Sequence, residues 1–420
     1  MSVLSIISEY NPYHRGHAYL LEEAKRFTGA SHAISIMSGN FSQQGHPMLA
    51  DKLSRASAAA QAGIDLVFEI PVIYATGSAG DFAEGAVSLL HALGNVDWLC
   101  FGVEDPDPEL FNRVTDTLLS EPAAFRSALD RSVREGFSFP SARENALVCA
   151  LGEDVRGFLR RPNNILGIEY ILMLKRLGSS IRPVMIRRMG EYHAESGESG
   201  FSSASAIRSR LIPLSPEDRR SLLEKELPAG SYDRYAALSH LPILTDDQYT
   251  PFLTARLLSA PGRGTEPLPE PEDLPLDMTT AVYRRLMDIP LPATWTEAVN
   301  ALHTKNVTMS RITRSLLHLM LGITNGDRRR LKEDGCIFYA NLLSARREST
   351  HLLRRLQETA RIPVISKRSA YSPDPTGSAA RLWQLDKNAT DLYNQMLFLA
   401  GGERLKDESR SKPRIVGQDE

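Results

Sequence analysis

The chain has 420 residues, 42% hydrophobic, 24% charged and 7% aromatic, a globular composition too long for one ordinary core. No apolar run approaches the ~20 residues of a membrane span, and the N-terminus MSVLSIISEYNPYH lacks the basic flank of a secretory signal. Net charge is −2, and three scattered cysteines (Cys100, Cys149, Cys336) make neither a disulfide framework nor a zinc module, so no membrane association and a reduced, cytoplasmic setting are expected.

Along the first 215 residues, short apolar runs alternate with helical patterns. VLSIIS (3–8), HAISIMS (32–38), LVFEIPV (66–72), DWLCFGV (97–103) and IRPVMIRR (181–188) are rich in β-branched residues and alternate little. They predict strands of a parallel sheet buried on both faces. Between them, AYLLEEAKRF places Leu20, Leu21 and Ala24 on one helical face, and DKLSRASAAAQAG and DFAEGAVSLLHALG each end in a capping glycine. This order predicts βαβ units and a doubly wound, Rossmann-like α/β domain over 1–215.

Residues 216–277 are expected to be a helical connector ending in a Pro-rich exposed linker, APGRGTEPLPEPEDLPLD at 260–277. Residues 278–405 are expected to be helical and basic. From 305 to 368 there are 14 Lys or Arg against 5 Asp or Glu, a local +9 that leaves −11 elsewhere. Such clustering fits an anionic macromolecule, and equally a set of solvated helix faces. The tail 406–420 is charged, poor in apolar residues and expected to be disordered.

In open α/β sheets, ligands bind beyond the carboxyl ends of the strands. SEYNPYHRGH, SGNFSQQGHP, GVED and RRMGEYH all fall there. Within the first, His14-Arg15-Gly16-His17 sits at the start of a helix, where unpaired N–H groups favour phosphate. Gly16 permits close backbone approach, and histidines three apart share a helical face. Alone, the pattern is more often a capped turn. After the first strand of an α/β domain it resembles the signature of the HIGH-type nucleotidyltransferase superfamily. Ser203-Ala204-Ser205-Ala206-Ile207-Arg208 resembles that superfamily's late I-S-x-T-x-I-R motif, in which hydroxyls and an arginine meet the triphosphate; the bland alternative is an ordinary helix cap.

The blocks SEYNPYHRGHAY, MSGNFSQQGHP, GIDLVFEIPVIYATGSAGDFAEGAV, FGVE, PNNILGIEY, IRRMGEYH and IPVISK resemble, in order, the bacterial tRNA(Met) cytidine acetate ligase family. The resemblance spans almost the whole chain. It implies an ATP-dependent ligase that activates acetate as acetyl-adenylate and acetylates the N4 amine of the wobble cytidine of elongator tRNA(Met). ATP, Mg²⁺, acetate and tRNA(Met) are the implied cofactors and partners, with no protein partner implied. The resemblance implies ATP contacts from Ile7, Ser8, Glu9, Tyr10, Asn11, Pro12, Tyr13, His14, Arg15, Gly16, His17, Ala18, Tyr19 and Leu20. His14 and His17 are the implied catalytic groups. Gly102, Asn163 and Arg188 complete the implied ATP set, with Asn164 and Arg187 as adjacent alternatives. Ser203 and Arg208 are candidate triphosphate contacts. Arg328, Arg329 and Arg330 are candidate tRNA contacts or, equally, a solvated face.

This chain departs from the family pattern at Gln44 and His46, where a basic and an acidic residue are usual. It also departs at Leu53, where tryptophan is usual, and at Glu191-Tyr192-His193. Singly weighed, Glu9 is a candidate buried acid or, equally, a structural partner for a loop N–H, Asn40 a candidate binding residue, Asp65 and Glu69 capping or ion-pairing groups, and Glu104 a loop anchor or a ligand contact. The rival functions are a small-molecule adenylyltransferase of the same fold, which needs only ~150–200 residues, and a non-catalytic RNA-binding protein.

Overall fold

The computed structural model describes residues 1–189, 201–264, 266–305, 307–405 and 410–417; Glu191, Tyr192 and His193 lie outside the described residues. Five strands run parallel: β1 (Val3–Ser8), β2 (His32–Ser38), β3 (Leu66–Ile70), β4 (Trp98–Val103) and β5 (Arg182–Arg187). Their order is β5-β4-β1-β2-β3. Successive side chains go to opposite faces, and both faces are apolar. Ile34, Ile36 and Phe68 pack into one core and Ala33, Met37 and Val67 into the other. That two-sided burial is why the strand sequences alternate so little. The third apolar run was expected to reach residue 72, but β3 ends at Ile70. Pro71 has no N–H for the ladder, and a short helix, Val72–Ala75, begins at once.

Helices fill the crossovers, among them Arg15–Thr28, Lys52–Gln61, Ala79–Leu93 and Pro162–Arg176. Gly29 closes the first with a left-handed φ of 64°, so the stop signal in the sequence has a backbone reason. The result is a doubly wound α/β arrangement.

The second half departs from the sequence expectation in three places. First, β6 (Ala340–Arg346) comes from the range read as helical and pairs antiparallel with β3, Leu66 opposite Ala345. ANLLSAR is a short, almost wholly buried run, and periodicity alone cannot separate such a run from a buried helix. β7 (Val364–Ile365) also pairs with β6. Second, the tail read as disordered supplies β8 (Arg414–Val416), which pairs with Ser344, Ala345 and Arg346. Its stabilisation is main-chain pairing, which composition does not register. Third, the Pro-rich stretch is not simply exposed. Leu274 and Leu276 are buried, and Leu276 N–H donates to the Ile323 carbonyl.

A buried polar seam joins the halves. Lys52 Nζ lies 2.7 Å from Glu69 Oε1, and Asn341 Nδ2 donates to Glu69 Oε2 at 2.7 Å. Glu69 is thus an ion-pairing group. In the long helix Ser378–Leu399, Asp386 accepts from Val72 N–H at 2.6 Å and from the Tyr339 hydroxyl. Burial first, then the Glu69 charge, pushes the Asp386 carboxyl well above the usual range. Cys100 and Cys336 are buried, Cys149 is exposed, and all three are free. Among the described residues no helix is long and apolar enough to cross a membrane.

Candidate active site

Strand order reverses at β1, which has β2 on one side and β4 on the other. A cleft opens beyond the carboxyl ends of these strands, where doubly wound sheets bind ligands. It has two lobes, about 520 and 470 Å³, which share His14, Gly102, Pro162, Asn163 and Arg188.

His14 caps the helix Arg15–Thr28. Its Nδ1 accepts from Gly16 N–H at 3.0 Å, while His17 Nδ1 accepts from His14 N–H at 3.3 Å. The reciprocal cap fixes more than the helix start. A neutral imidazole with Nδ1 used as acceptor carries its proton on Nε2, so both rings present Nε2–H as a donor. Both are held neutral. Burial, then Arg188, lowers His14 to about 4, and burial, His14 and Arg188 lower His17 well below its ordinary value. The rings lie 4.1 Å apart, centroid to centroid, with His17 also against Tyr10 and Tyr13. Gly16 is required by its neighbour, because a Cβ there would sit 2.8 Å from His14 Cε1. Tyr10, at the turn before the cap, has a φ of +47°, a strained backbone placed at the site.

On the opposite wall, Arg188 Nη1 donates to Asn163 Oδ1 at 3.4 Å, and Asn163 Nδ2 donates to Glu104 Oε1 at 2.7 Å. A Cβ on Gly102 would lie 3.1 Å from Arg188 Cγ, so glycine leaves room for that side chain. The neighbouring alternatives are placed differently. Asn164 is fully buried, and its Oδ1 accepts from Glu104 and Asp105 N–H. Arg187 lines only the smaller lobe and donates to the Glu104 carbonyl. Glu104 also accepts from the Asn163 and Asn164 N–H groups, which anchors the start of the helix Pro162–Arg176.

A third wall is the N-terminus of the helix Ala204–Leu211. Ser203 caps it by accepting from Ala206 N–H at 3.2 Å, and Ser205 and Arg208 line the larger lobe. Arg208 Nη1 donates to the Asn11 carbonyl at 2.7 Å, and burial lowers its affinity for the proton. Asn11 Oδ1 accepts from Leu49 N–H, while its enclosed Nδ2 has no partner among the described residues. Among the described residues Glu9 is the one carboxylate lining the larger lobe, and its Oε1 accepts from Gln43 N–H at 2.6 Å.

The rest of the segment 7–20 divides. Ile7, Ser8 and Tyr10 line the larger lobe, and Tyr19 and Leu20 the smaller. Tyr13 is buried, with its N–H donating to the Tyr235 hydroxyl, and Ala18 packs against the core. Pro12 lines neither lobe. Arg15 points outward, with Nε donating to the Lys225 carbonyl.

Several lining residues went unnamed in the sequence reading. Pro162, Leu166 and Tyr170 line the larger lobe at intervals of four, a spacing visible in PNNILGIEY. Phe82 and Phe101 add aromatic walls, and Gln44 and His46, the two departures, lie at the same rim, with His46 Nδ1 2.9 Å from Asp246. Arg55, fully buried, donates to the carbonyls of Glu9, Ser38, Gly39 and Ala50 and ties the loops after β1 and β2 together. Asn40 lies away from the cleft; its Oδ1 accepts from Lys52 N–H. Each of the three arginines has a carboxylate partner: Arg328 with Asp81 at 2.5 Å, Arg329 with Glu272, and Arg330 with Asp327 at 3.1 Å.

The HIGH Nucleotidyl Transferase family pattern matches residues 1–408. The tRNA(Met) cytidine acetate ligase of Acetivibrio thermocellus is 33% identical over 400 residues, covering 94% of each chain. That of Caldanaerobacter subterraneus subsp. tengcongensis is 34% identical over 403 residues, covering 94% of this chain and 95% of the relative. Among solved structures, Thermotoga maritima TmcAL bound with alpha-thio ATP matches with a TM-score of 0.87 and 27% identity over 100% of both chains. Its apo form matches with the same TM-score of 0.87 at 26% identity. A cleft at the sheet's reversal point, its histidine cap and these whole-length likenesses agree: the chain belongs to the HIGH nucleotidyltransferase family and, within it, to the tRNA(Met) cytidine acetate ligases.

Proposed function

We propose that this chain is an ATP-dependent ligase of the cytoplasm that forms acetyl-adenylate and transfers the acetyl group to the N4 amine of the wobble cytidine of tRNA(Met). The observation that carries the reading is the larger lobe of the cleft. There His14 and His17 offer neutral Nε2–H donors, and Arg188 and Arg208 supply positive charge. In the first step an acetate oxygen attacks the α-phosphorus of ATP and the bond to pyrophosphate breaks. Charge grows on the leaving group, and fixed donors placed beforehand stabilise it at no cost in reorganisation. In the second step the cytidine amine attacks the acetyl carbonyl and AMP leaves. In this reading Glu9, a carboxylate lining the larger lobe, takes the amine proton. No cysteine or serine nucleophile is needed, because the mixed anhydride is already activated.

Mg²⁺ enters with the triphosphate in this reading. No group of three His, Cys, Asp or Glu gathers to hold a metal among the described residues, whereas phosphate oxygens commonly supply most non-water ligands of this ion. The ATP contacts are assigned to the segment 7–20 with Gly102, Asn163 and Arg188, and the triphosphate to Ser203 and Arg208. Residues 1–215 form the activating unit and residues 278–405 the tRNA-holding region, with Arg328, Arg329 and Arg330 sharing RNA phosphates with their present carboxylates.

The test is His17→Ala. Losing the side chain that accepts from His14 N–H costs about 1 kcal/mol of stability, so the variant should fold. Adenylate formation should fall at least ~100-fold, the scale of losing one preorganised donor. Full adenylation by a folded variant would remove His17 from the chemistry.

A further inference from the structure

A third cavity, about 650 Å³, adjoins the cleft but shares no lining residue with it. One loop serves both: Asn40 lines the third cavity, and Ser42, two residues on, lines the cleft. Tyr235 and Tyr393 are buried in its wall. Their hydroxyls are spent on the carbonyls of Tyr10 and Met48. Leu49, Leu238 and Leu397, from three separate segments, continue the apolar lining.

The rim is of opposite character. Arg404, Arg410, Lys412 and Arg414 all line the cavity and are exposed, and no carboxylate pairs with any of them among the described residues. Among the described residues the one carboxylate in the lining, Asp51, is committed to the cap of the helix Lys52–Gln61, accepting from Leu53 and Ser54 N–H. The cavity therefore combines an apolar chamber with a cationic mouth. Its size suits a small organic body. The charge excludes a cation and leaves a neutral ligand without a use for four basic side chains.

We infer that this cavity receives an unpaired nucleotide of the tRNA, its base in the apolar chamber against Leu49 and Leu238 and its flanking phosphates on Arg404, Arg410, Lys412 and Arg414. Single-stranded RNA is held in this way, with splayed bases on aromatic or apolar surfaces and phosphates on a basic track. A free organic acid shares part of this chemistry. A phosphodiester chain accounts better for four cations distributed over residues 404–414 and for a cleft served by the same loop, where the target cytidine is placed. This inference rests on the tRNA ligase reading.

The test measures binding of a fluorescein-labelled anticodon stem-loop of tRNA(Met) to the full chain across a salt series. Asn394→Trp plugs the cavity from a half-buried position on the helix Ser378–Leu399. Arg410→Ala with Lys412→Ala removes two exposed charges. Melting curves establish that both variants fold. The plug should weaken binding at least ~10-fold, as loss of one stacked base would, and leave the salt slope unchanged. The double alanine variant should lower the slope of log K against log salt by roughly 0.7–0.9 for each lost phosphate. Unchanged affinity in both variants overturns the inference while leaving the ligase reading intact. So does native mass spectrometry that finds a small acid displaced by the plug with stem-loop binding undisturbed. A wild-type chain that neither binds the stem-loop nor exchanges pyrophosphate into ATP removes the ligase reading, and the cavity assignment with it.

Discussion

His14 shows how one residue carries two duties. Its Nδ1 closes the helix cap, and that bond leaves Nε2–H for a ligand. The arrangement depends on neutrality, because a protonated ring cannot accept from Gly16 N–H. Burial and Arg188 hold the folded-state value at about 4 against 6.5 in the unfolded chain, so the unfolded state binds the proton more readily. The associated stability is complete above pH 6.5 and is lost as pH falls from 6.5 to about 4. The difference corresponds to about 3 kcal/mol. Asparagine can keep the cap and cannot titrate. Urea unfolding of His14→Asn at pH 6.5 and pH 4.5 should therefore show a smaller acid loss than the wild type. An equal loss in both would mean that His14 is not the acid-sensitive group.

Sequence legibility also divides at this scale. The histidine pair was readable because two like residues at a strand end, around a glycine, have few structural uses. Asn163 and Asn164 were not separable, since adjacent residues share a pattern and differ only in direction: one reaches Arg188, the other two loop N–H groups. Arg55 was invisible as a hub because its partners are main-chain carbonyls, which every residue possesses.

Among the elements, β1, β2 and β3 were legible because each is buried on both faces and must be apolar almost throughout. β6 and β8 were not, because each is defined by a partner distant in the sequence, Leu66 for Ala345 and Ser344 for Arg414. What holds β6 against β3 is partly the seam of Lys52, Glu69 and Asn341. Replacing Lys52 by methionine strands a buried carboxylate, which costs about 3–5 kcal/mol. The double variant Lys52→Met, Glu69→Leu should recover much of that loss, since paired removal leaves no uncompensated charge. Thermal unfolding of the four chains of this cycle measures the coupling. Additive losses would show that the pair is not a unit.

For the whole molecule, the expectation of an α/β half followed by a helical half captured the order of elements but not their union. The second half completes the first half's sheet, with β6 paired to β3. The basic excess of residues 305–368 is also less free than its count implied, because Arg328, Arg329 and Arg330 are each paired. Their proposed RNA contacts have a direct signature. Arg329→Ala with Arg330→Ala should reduce the salt slope of tRNA binding by roughly 0.7–0.9 per lost contact. An unchanged slope would mark the pair as part of a solvated face.

The central claim is that the cleft makes an adenylate before RNA reacts, and exchange of labelled pyrophosphate into ATP tests it most directly. The account predicts exchange that requires acetate and proceeds without tRNA, because the anhydride forms from groups that one cleft supplies. Exchange that appears only when tRNA is added, or no exchange with acetate under any condition, would contradict it.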